Sequence, residues 1–320
     1  MLTVSALILV AATAADLNTS HPGAEGFVTE MADRHDWPAE DITQLLTGAK
    51  RSQTIIDAIS RPAEAKPWKD YRPIFMTPKR VSDGVKFWRE NQTLLAEVEA
   101  EYGVPAKLIV AITGVETSYG NILGRFRVID ALATLAFHYP PRSKFFRSEL
   151  EHYLQLGKDE NLPLTELKGS YAGAMGMGQF ISSSYRAYAV DHDGDGQRDL
   201  WGSKADGLAS IANYFRRHGW QTGDPIAQPV SAAEGARKLN KPKLKPAYPL
   251  QQIEDWGYRI DQPLADPDTA VSLVTLEGAE GTEHWVTYQN FYVISRYNHS
   301  ALYSMAVYQL ANAIEQAVNE

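Results

Sequence analysis

One segment constrains this chain more than any other. Pro105–Ser118 (PAKLIVAITGVETS) is the most apolar helical run after the N-terminal stretch, yet it closes on an acid. Ile109, Ile112 and Glu116 follow at i, i+3 and i+7, so Glu116 shares the apolar stripe that such a helix turns inward. A carboxylate there loses hydration, which disfavours its charged form and raises its pKa, as a proton donor working near neutral pH requires. The plainer alternative is a helix-end Glu that bends into solvent or pairs with an arginine. The residues that follow, Thr117-Ser118-Tyr119-Gly120-Asn121, make a turn that would stop the helix and leave the carboxyl at the lip of a cleft.

The chain has 320 residues, more than one compact core usually holds, so two cores or one core with a large insertion are expected. Lys and Arg number 31 against 39 Asp and Glu, a net charge of −8, which argues against a protein that grips nucleic acid through phosphate contacts. Cysteine is absent. Disulfides, thiolate metal sites, a cysteine nucleophile and a lipid-modified N-terminal cysteine are thereby excluded. Met1–Ala15 is almost wholly apolar and Ala12-Thr13-Ala14 offers a small-x-small cleavage pattern, so an export signal is expected over 1–15, although no Lys or Arg precedes the apolar run. No later stretch reaches the roughly 18 to 20 apolar residues that span a bilayer.

Along the chain, 16–103 reads as a helical domain of short helices broken at Pro38, Pro62, Pro67, Pro73 and Pro78, with one longer amphipathic helix over Val81–Tyr102. Residues 104–226 hold nearly every motif and form the expected catalytic core. Between 227 and 290 prolines punctuate β-rich runs at Ala270–Leu276 and His284–Tyr288, which predicts a small antiparallel insertion. Helix returns over 291–320, with Tyr303, Val307, Leu310, Ala311 and Ile314 on one face, so this stretch is expected to pack back on the core.

Gly173–Phe180 (GAMGMGQF) has three glycines in six positions, which lets backbone pass close to a neighbour. It lacks the spacing of a phosphate loop or a dinucleotide fingerprint. Gln179 stands at a loop-to-helix junction, where its amide could meet a sugar hydroxyl or acetamido group, or equally satisfy buried backbone. Asp191–Trp201 (DHDGDGQRDLW) places Asp at loop positions 1, 3, 5 and 9 and Gly at 6, the pattern that wraps oxygens around calcium; a solvated Asp turn is the alternative. Position 12 is Gly202 rather than Glu, so another ligand is required, and Asp206 is the candidate. The expected set is Asp191, Asp193, Asp195, the backbone carbonyl of Gln197, and Asp206, holding a structural Ca2+ with Na+ as the alternative ion.

ETSYG at Glu116–Gly120 together with AGAMGMGQF at Ala172–Phe180 resembles the lysozyme-like lytic transglycosylases of the bacterial cell wall. KGSYAGAMGMGQF, DHDGDGQRDLW, IANYF at Ile211–Phe215 and RYNHS at Arg296–Ser300 are similar, more specifically, to the lytic murein transglycosylase B family, from about residue 25 onward. The resemblance implies a mainly α (α+β) fold in which the catalytic core is lysozyme-like. It implies cleavage of the β-1,4 bond from MurNAc to GlcNAc in peptidoglycan with a 1,6-anhydromuramoyl product, Glu116 acting first as acid and then as base. It assigns glycan contacts to Ser170, Gln179, Tyr214, Tyr297, Asn298 and Tyr303, and places Arg142 near the peptide-bearing side. It also supports Asp206 as a metal ligand. A hydrolytic muramidase on the same scaffold and a non-catalytic peptidoglycan-binding protein are the competing readings. Further expectations are no organic cofactor, peptidoglycan strands as partner, a monomer, and a periplasmic location without a lipid anchor.

Overall fold

The computed structural model describes residues 21–61, 66–239 and 243–320; the expected export signal at 1–15 lies outside them. Three helices come first, α1 (Pro22–His35), α2 (Ala39–Thr47) and α3 (Gln53–Ile59), followed by α4 (Trp68–Phe75), α5 (Pro78–Glu90), α6 (Gln92–Tyr102) and α7 (Ala106–Thr117). Then come β1 (Phe126–Arg127), α8 (Val128–His138), α9 (Ser143–Asp159), β2 (Lys168–Gly169), α10 (Ser182–Tyr188) and α11 (Lys204–Arg217). The remainder is β3 (Ala227–Ala232), β4 (Tyr248–Pro249), α12 (Leu250–Asp255), β5 (Tyr258–Arg259), β6 (Ala270–Gly278), β7 (Gly281–Thr287), α13 (Gln289–Ser295) and α14 (Ala301–Asn319). The fold is mainly helical with a small antiparallel sheet, as the sequence predicts. Among the described residues no helix is long and apolar enough to cross a membrane.

Two expected boundaries moved, each for a local reason. The single helix predicted over Val81–Tyr102 is split at Asn91, where φ −120° and ψ 21° leave the helical region. The Asn91 side chain donates to the carbonyl of Phe87 at 2.7 Å, so the side-chain amide competes with the helical ladder. Pro73, predicted to break helix, lies inside α4. Only one amide is missing there and the helix stops at Phe75, so the loss is confined to a single bond. Pro78 behaves as expected, opening α5 behind the Thr77 cap, whose hydroxyl accepts the amide of Arg80 at 3.1 Å.

The chain packs as two compact units, each built from separated segments. The first takes residues 21–61, 124–175 and 180–186. At its centre is α8, buried from Val128 to Phe137 except at Asp130, with α9 packed along it. Asp130 accepts the Arg127 guanidinium at 2.7 and 2.9 Å and the amide of Lys50 at 2.7 Å, which ties the helix to the connection before α3. β1 and β2 form a two-residue antiparallel ladder, Phe126 opposite Gly169.

The second unit takes 66–123, 176–179, 187–239 and 243–320. The apolar helix found in the sequence is its axis: α7 is covered by α5, α6, α11 and α14, and every residue from Leu108 to Gly114 is buried. Each fully buried aliphatic chain here contributes about 1.5–3 kcal/mol, enough to hold a helix rigid while it carries an acid at its end. Tyr303, Val307, Leu310, Ala311 and Ile314 of α14 are all buried, which is the inward face predicted for this segment. The predicted β-rich insertion forms a five-stranded sheet in the order β4-β6-β7-β3-β5, every pairing antiparallel. β6 and β7 make a hairpin from Ser272 opposite Thr287 to Gly278 opposite Gly281.

Candidate active site

Helix α7 delivers Glu116 one residue before its end. The helix stops because Ser118, Tyr119 and Gly120 take φ values of 50°, 63° and 83° in succession. Left-handed backbone is costly for Ser and Tyr, and such strain persists only where surrounding contacts hold it. Those contacts are present. The Tyr119 ring folds back over α7 at Gly114, where a Cβ would stand 2.7 Å from the ring, and its hydroxyl donates to the carbonyl of Arg80 at 2.6 Å. The Arg80 guanidinium donates in turn to the carbonyl of Gly114.

Glu116 is half-buried, and the hydroxyl of Tyr303 donates to its Oε1 at 2.6 Å. Burial pushes the carboxyl up to about 7, opposed by that hydrogen bond, which favours the charged form. Tyr303 is 3% exposed, and its hydroxyl is pushed well above the usual range, first by burial and then by the Glu116 charge, so it remains a donor. Among the described residues no second carboxylate contributes to the shift of Glu116.

The segment 176–179 passes the end of α7. Gly176 has φ 68° and lies against Leu200, where a Cβ would come within 2.5 Å, so only glycine fits. Met177 donates its amide to the Leu200 carbonyl at 2.9 Å, and its own carbonyl faces the hydroxyl of Thr117 at 3.1 Å. Tyr297, half-buried, donates to the carbonyl of Gly178 at 2.8 Å. Gln179 takes φ 50°, and its side-chain amide donates to the carbonyls of Gly176 and Leu123 at 3.1 and 3.3 Å. Ser118, Tyr119 and Gln179 are three of the five non-glycine residues with positive φ among the described residues, so the strain gathers at this place.

Of the predicted glycan contacts, the structure brings Tyr303 and Glu116 into direct contact and stitches Tyr297 and Gln179 to the glycine-rich segment. Tyr214 is buried; its hydroxyl donates to the carbonyl of Arg296 at 2.5 Å and its ring stacks on His218 at 4.0 Å and tilts against Tyr297 at 4.7 Å. It props Tyr297 from beneath. Asn298 is half-buried in the bend before α14, where its carbonyl accepts the amide of Ser300 at 2.7 Å. Ser170 and Arg142 belong to the first unit. The Ser170 hydroxyl accepts the amides of Ala172 and Ala174 at 3.3 and 3.0 Å, fixing the first turn of the glycine-rich loop. Arg142 is exposed, its guanidinium 4.4 Å from the ring centre of Phe145 and 5.1 Å from that of Phe146.

In the acidic loop, Asp191, Asp193 and Asp206 each bring a carboxylate oxygen within 4.8 Å of the others. Asp206 is fully buried at the start of α11 and accepts the amides of His192 at 2.7 Å and Asp199 at 2.8 Å. Burial pushes its carboxyl up despite those bonds, and the charge of Asp193 adds to the effect. Asp195 is not in that group of three; its carboxylate accepts the amide of Gln197 at 2.8 Å. An all-oxygen donor set with two exposed carboxylates and one buried suits a hard cation.

Sequence reading missed Thr117, Tyr119 and Arg80 as supports of the acid. The signal for the first was a hydroxyl residue directly after Glu116, inside a motif already singled out.

These features define a class before they define a relative: a helical protein with one acid at the end of a buried helix, facing tyrosines and a glycine-rich strand. Residues 19–312 match the transglycosylase SLT domain family, and the chain belongs to it. The membrane-bound lytic murein transglycosylase B of Escherichia coli K12 is 41% identical over 308 residues, covering 93% of this chain and 84% of that protein. The crystal structure of lytic transglycosylase SltB1 from Pseudomonas aeruginosa superposes with a TM-score of 0.88 at 46% identity, covering 93% of this chain and 98% of that one. The lytic transglycosylase Slt35 of E. coli, solved in complex with calcium, gives 0.87 at 40% identity, with 94% and 95% covered.

Proposed function

We propose that this protein is a peptidoglycan lytic transglycosylase in which Glu116 alone performs both proton transfers. The observation that carries this reading is a carboxyl raised to about 7 by burial, bonded to Tyr303, with no second carboxylate among the described residues acting on it. Near neutral pH a large share of Glu116 is protonated. It gives its hydrogen to the oxygen bridging MurNAc C1 and GlcNAc C4, the C1–O bond breaks, and GlcNAc leaves with a free hydroxyl. The substrate's acetamido oxygen stabilises the electron-poor C1. Glu116, now a carboxylate that the Tyr303 hydroxyl helps to stabilise, takes the hydrogen of the C6 hydroxyl as O6 bonds to C1, which restores the acid and closes the 1,6-anhydro ring. Water is not consumed. Glycosidases that use water or a covalent intermediate need a second carboxylate at a defined separation, and intramolecular closure needs none.

Gln179, Tyr297, Asn298 and Tyr214 would line or support the glycan path; for Ser170 and Arg142 the glycan and peptide-side roles rest on the family resemblance of their motifs. Asp191, Asp193 and Asp206, with Asp195 and the Gln197 carbonyl, would hold Ca2+, which when bound neutralises the crowded carboxylates of the loop. Residues 104–226 form the catalytic core in this reading, flanked by the helical domain 16–103, the β insertion 227–290 and the returning helix 291–320. In this reading the protein acts as a monomer in the periplasm, exported by its N-terminal segment.

Digestion of purified sacculi in H2 18O tests the chemistry. Released muropeptides are expected to carry anhydro ends, one water lighter than reducing ends, and no 18O. Reducing ends labelled with 18O would assign a hydrolase instead.

A further inference from the structure

Thr117 follows the acid directly and is 1% exposed. Its Oγ1 stands 3.1 Å from the carbonyl of Thr113 one turn back and 3.1 Å from the carbonyl of Met177, and it accepts the amide of Gly120 at 3.0 Å. A hydroxyl has one hydrogen to give. The Thr113 carbonyl already receives the amide of Tyr119 at 3.0 Å, whereas among the described residues no loop amide donates to the Met177 carbonyl. An unmet buried acceptor is the costlier one to leave, so the hydrogen belongs to Met177.

The bond closes a ring. From Glu116 the chain leads to Thr117, across to Met177, along one peptide to Gly178, across to the Tyr297 hydroxyl, on to Tyr303, and from its hydroxyl back to Glu116. The Met177 peptide is anchored on its other side by the Leu200 carbonyl. The ring joins α7, the glycine-rich segment and the bend before α14, the three places that carry the site's strained or half-buried groups.

We propose that Thr117 is a positioning residue, which fixes where the Glu116 carboxyl stands by fastening the end of α7 to the 176–179 segment. This rests on the reading of Glu116 as the proton donor. The titratable groups that face the acid are Tyr303 from α14 and Tyr297 from the bend before it, while Arg80 of α5 engages the Gly114 carbonyl. Without the fastening, Glu116 gains water and freedom, so its carboxyl shifts toward ordinary values and its reach to the glycosidic oxygen varies.

The experiment compares Thr117→Val, which keeps the shape and removes the hydroxyl, with Thr117→Ser, which keeps the hydroxyl; Thr117→Ala replaces the valine variant if that one does not fold. Steady-state rates on soluble uncrosslinked glycan strands are measured from pH 5 to 9, with the folded fraction of each variant determined in parallel and Glu116→Gln as control. For valine (or alanine) kcat falls by about 10- to 100-fold per folded molecule with KM within about twofold, and the alkaline limb moves to lower pH. Serine restores kcat to within about threefold of wild type and returns the limb to its place. The proposal is overturned if the valine or alanine variant keeps wild-type kcat and limb, if the loss equals the loss of folded protein with the limb unmoved, or if serine does not rescue. An active Glu116→Gln would instead overturn the assignment of the acid itself.

Discussion

Two carboxylate regions of the same compact unit have opposite designs. At the end of α7 a single acid stands among tyrosines, and burial without a compensating cation pushes it up to about 7. In the acidic loop three carboxylates lie within 4.8 Å of one another, two of them exposed and the third held by backbone amides. The functional group is the same and the chemistry differs because of company. Isolation in a poorly hydrated place makes a carboxyl keep its proton; crowding sets like charges against one another, a repulsion that backbone donors offset in part and a cation relieves. The first arrangement can move a proton and the second can bind an ion.

That contrast gives graded ways to break it. The largest effect is expected at Glu116, where Glu116→Gln preserves shape and removes the transferable proton; muropeptide release should fall by at least about 1000-fold. Next is Tyr303→Phe. Its hydrogen bond lowers the Glu116 pKa, so its removal should raise it, moving the alkaline limb of the pH–rate profile to higher pH while kcat drops by about 10- to 100-fold. Movement of the limb to lower pH would show that the hydroxyl does not act on the acid as described.

The acidic loop should respond in stability. With Ca2+ about 100-fold above its dissociation constant, linkage contributes about 2.7 kcal/mol, so chelation should lower the unfolding midpoint by about 4 °C. Asp206→Asn should abolish that Ca2+ dependence. The smallest effect concerns Glu116 again. A folded-state pKa above the unfolded value means that its contribution to stability is full below about 4.5 and is lost as pH rises through about 7. Glu116→Gln should therefore stabilise the fold at pH 8 by about 1–3 kcal/mol and leave it nearly unchanged at pH 4, as read by denaturant unfolding.

What the sequence made legible was local. The spacing of Ile109, Ile112 and Glu116 put the acid on a buried face, the inward face of α14 was readable from its periodicity, and the β-rich runs fall on β6 and β7, the second running one residue past the strand to Tyr288. What it hid was long-range. Tyr303 meets Glu116 across 187 residues and Thr117 meets Met177 across 60, and no periodicity carries such pairings. Spacing along the acidic loop named Asp195 with the others but not the loop's own bonds, in which Asp191, Asp193 and Asp195 all accept amides a few residues ahead. Compact packing likewise joins stretches far apart in the chain, grouping residues 21–61 with 124–175, and composition along the sequence carries no sign of that. The Asn91 break was missed because a buried asparagine differs from its helical neighbours only in where its amide points.

The central claim is that Glu116 is held protonated near neutrality by its surroundings. Its most direct test is a titration of the Glu116 side-chain carboxyl by carbon-13 NMR in protein labelled at glutamate, with Glu116→Gln used to assign the signal. The account predicts a midpoint near 7; a midpoint near the ordinary 4.5 would contradict it.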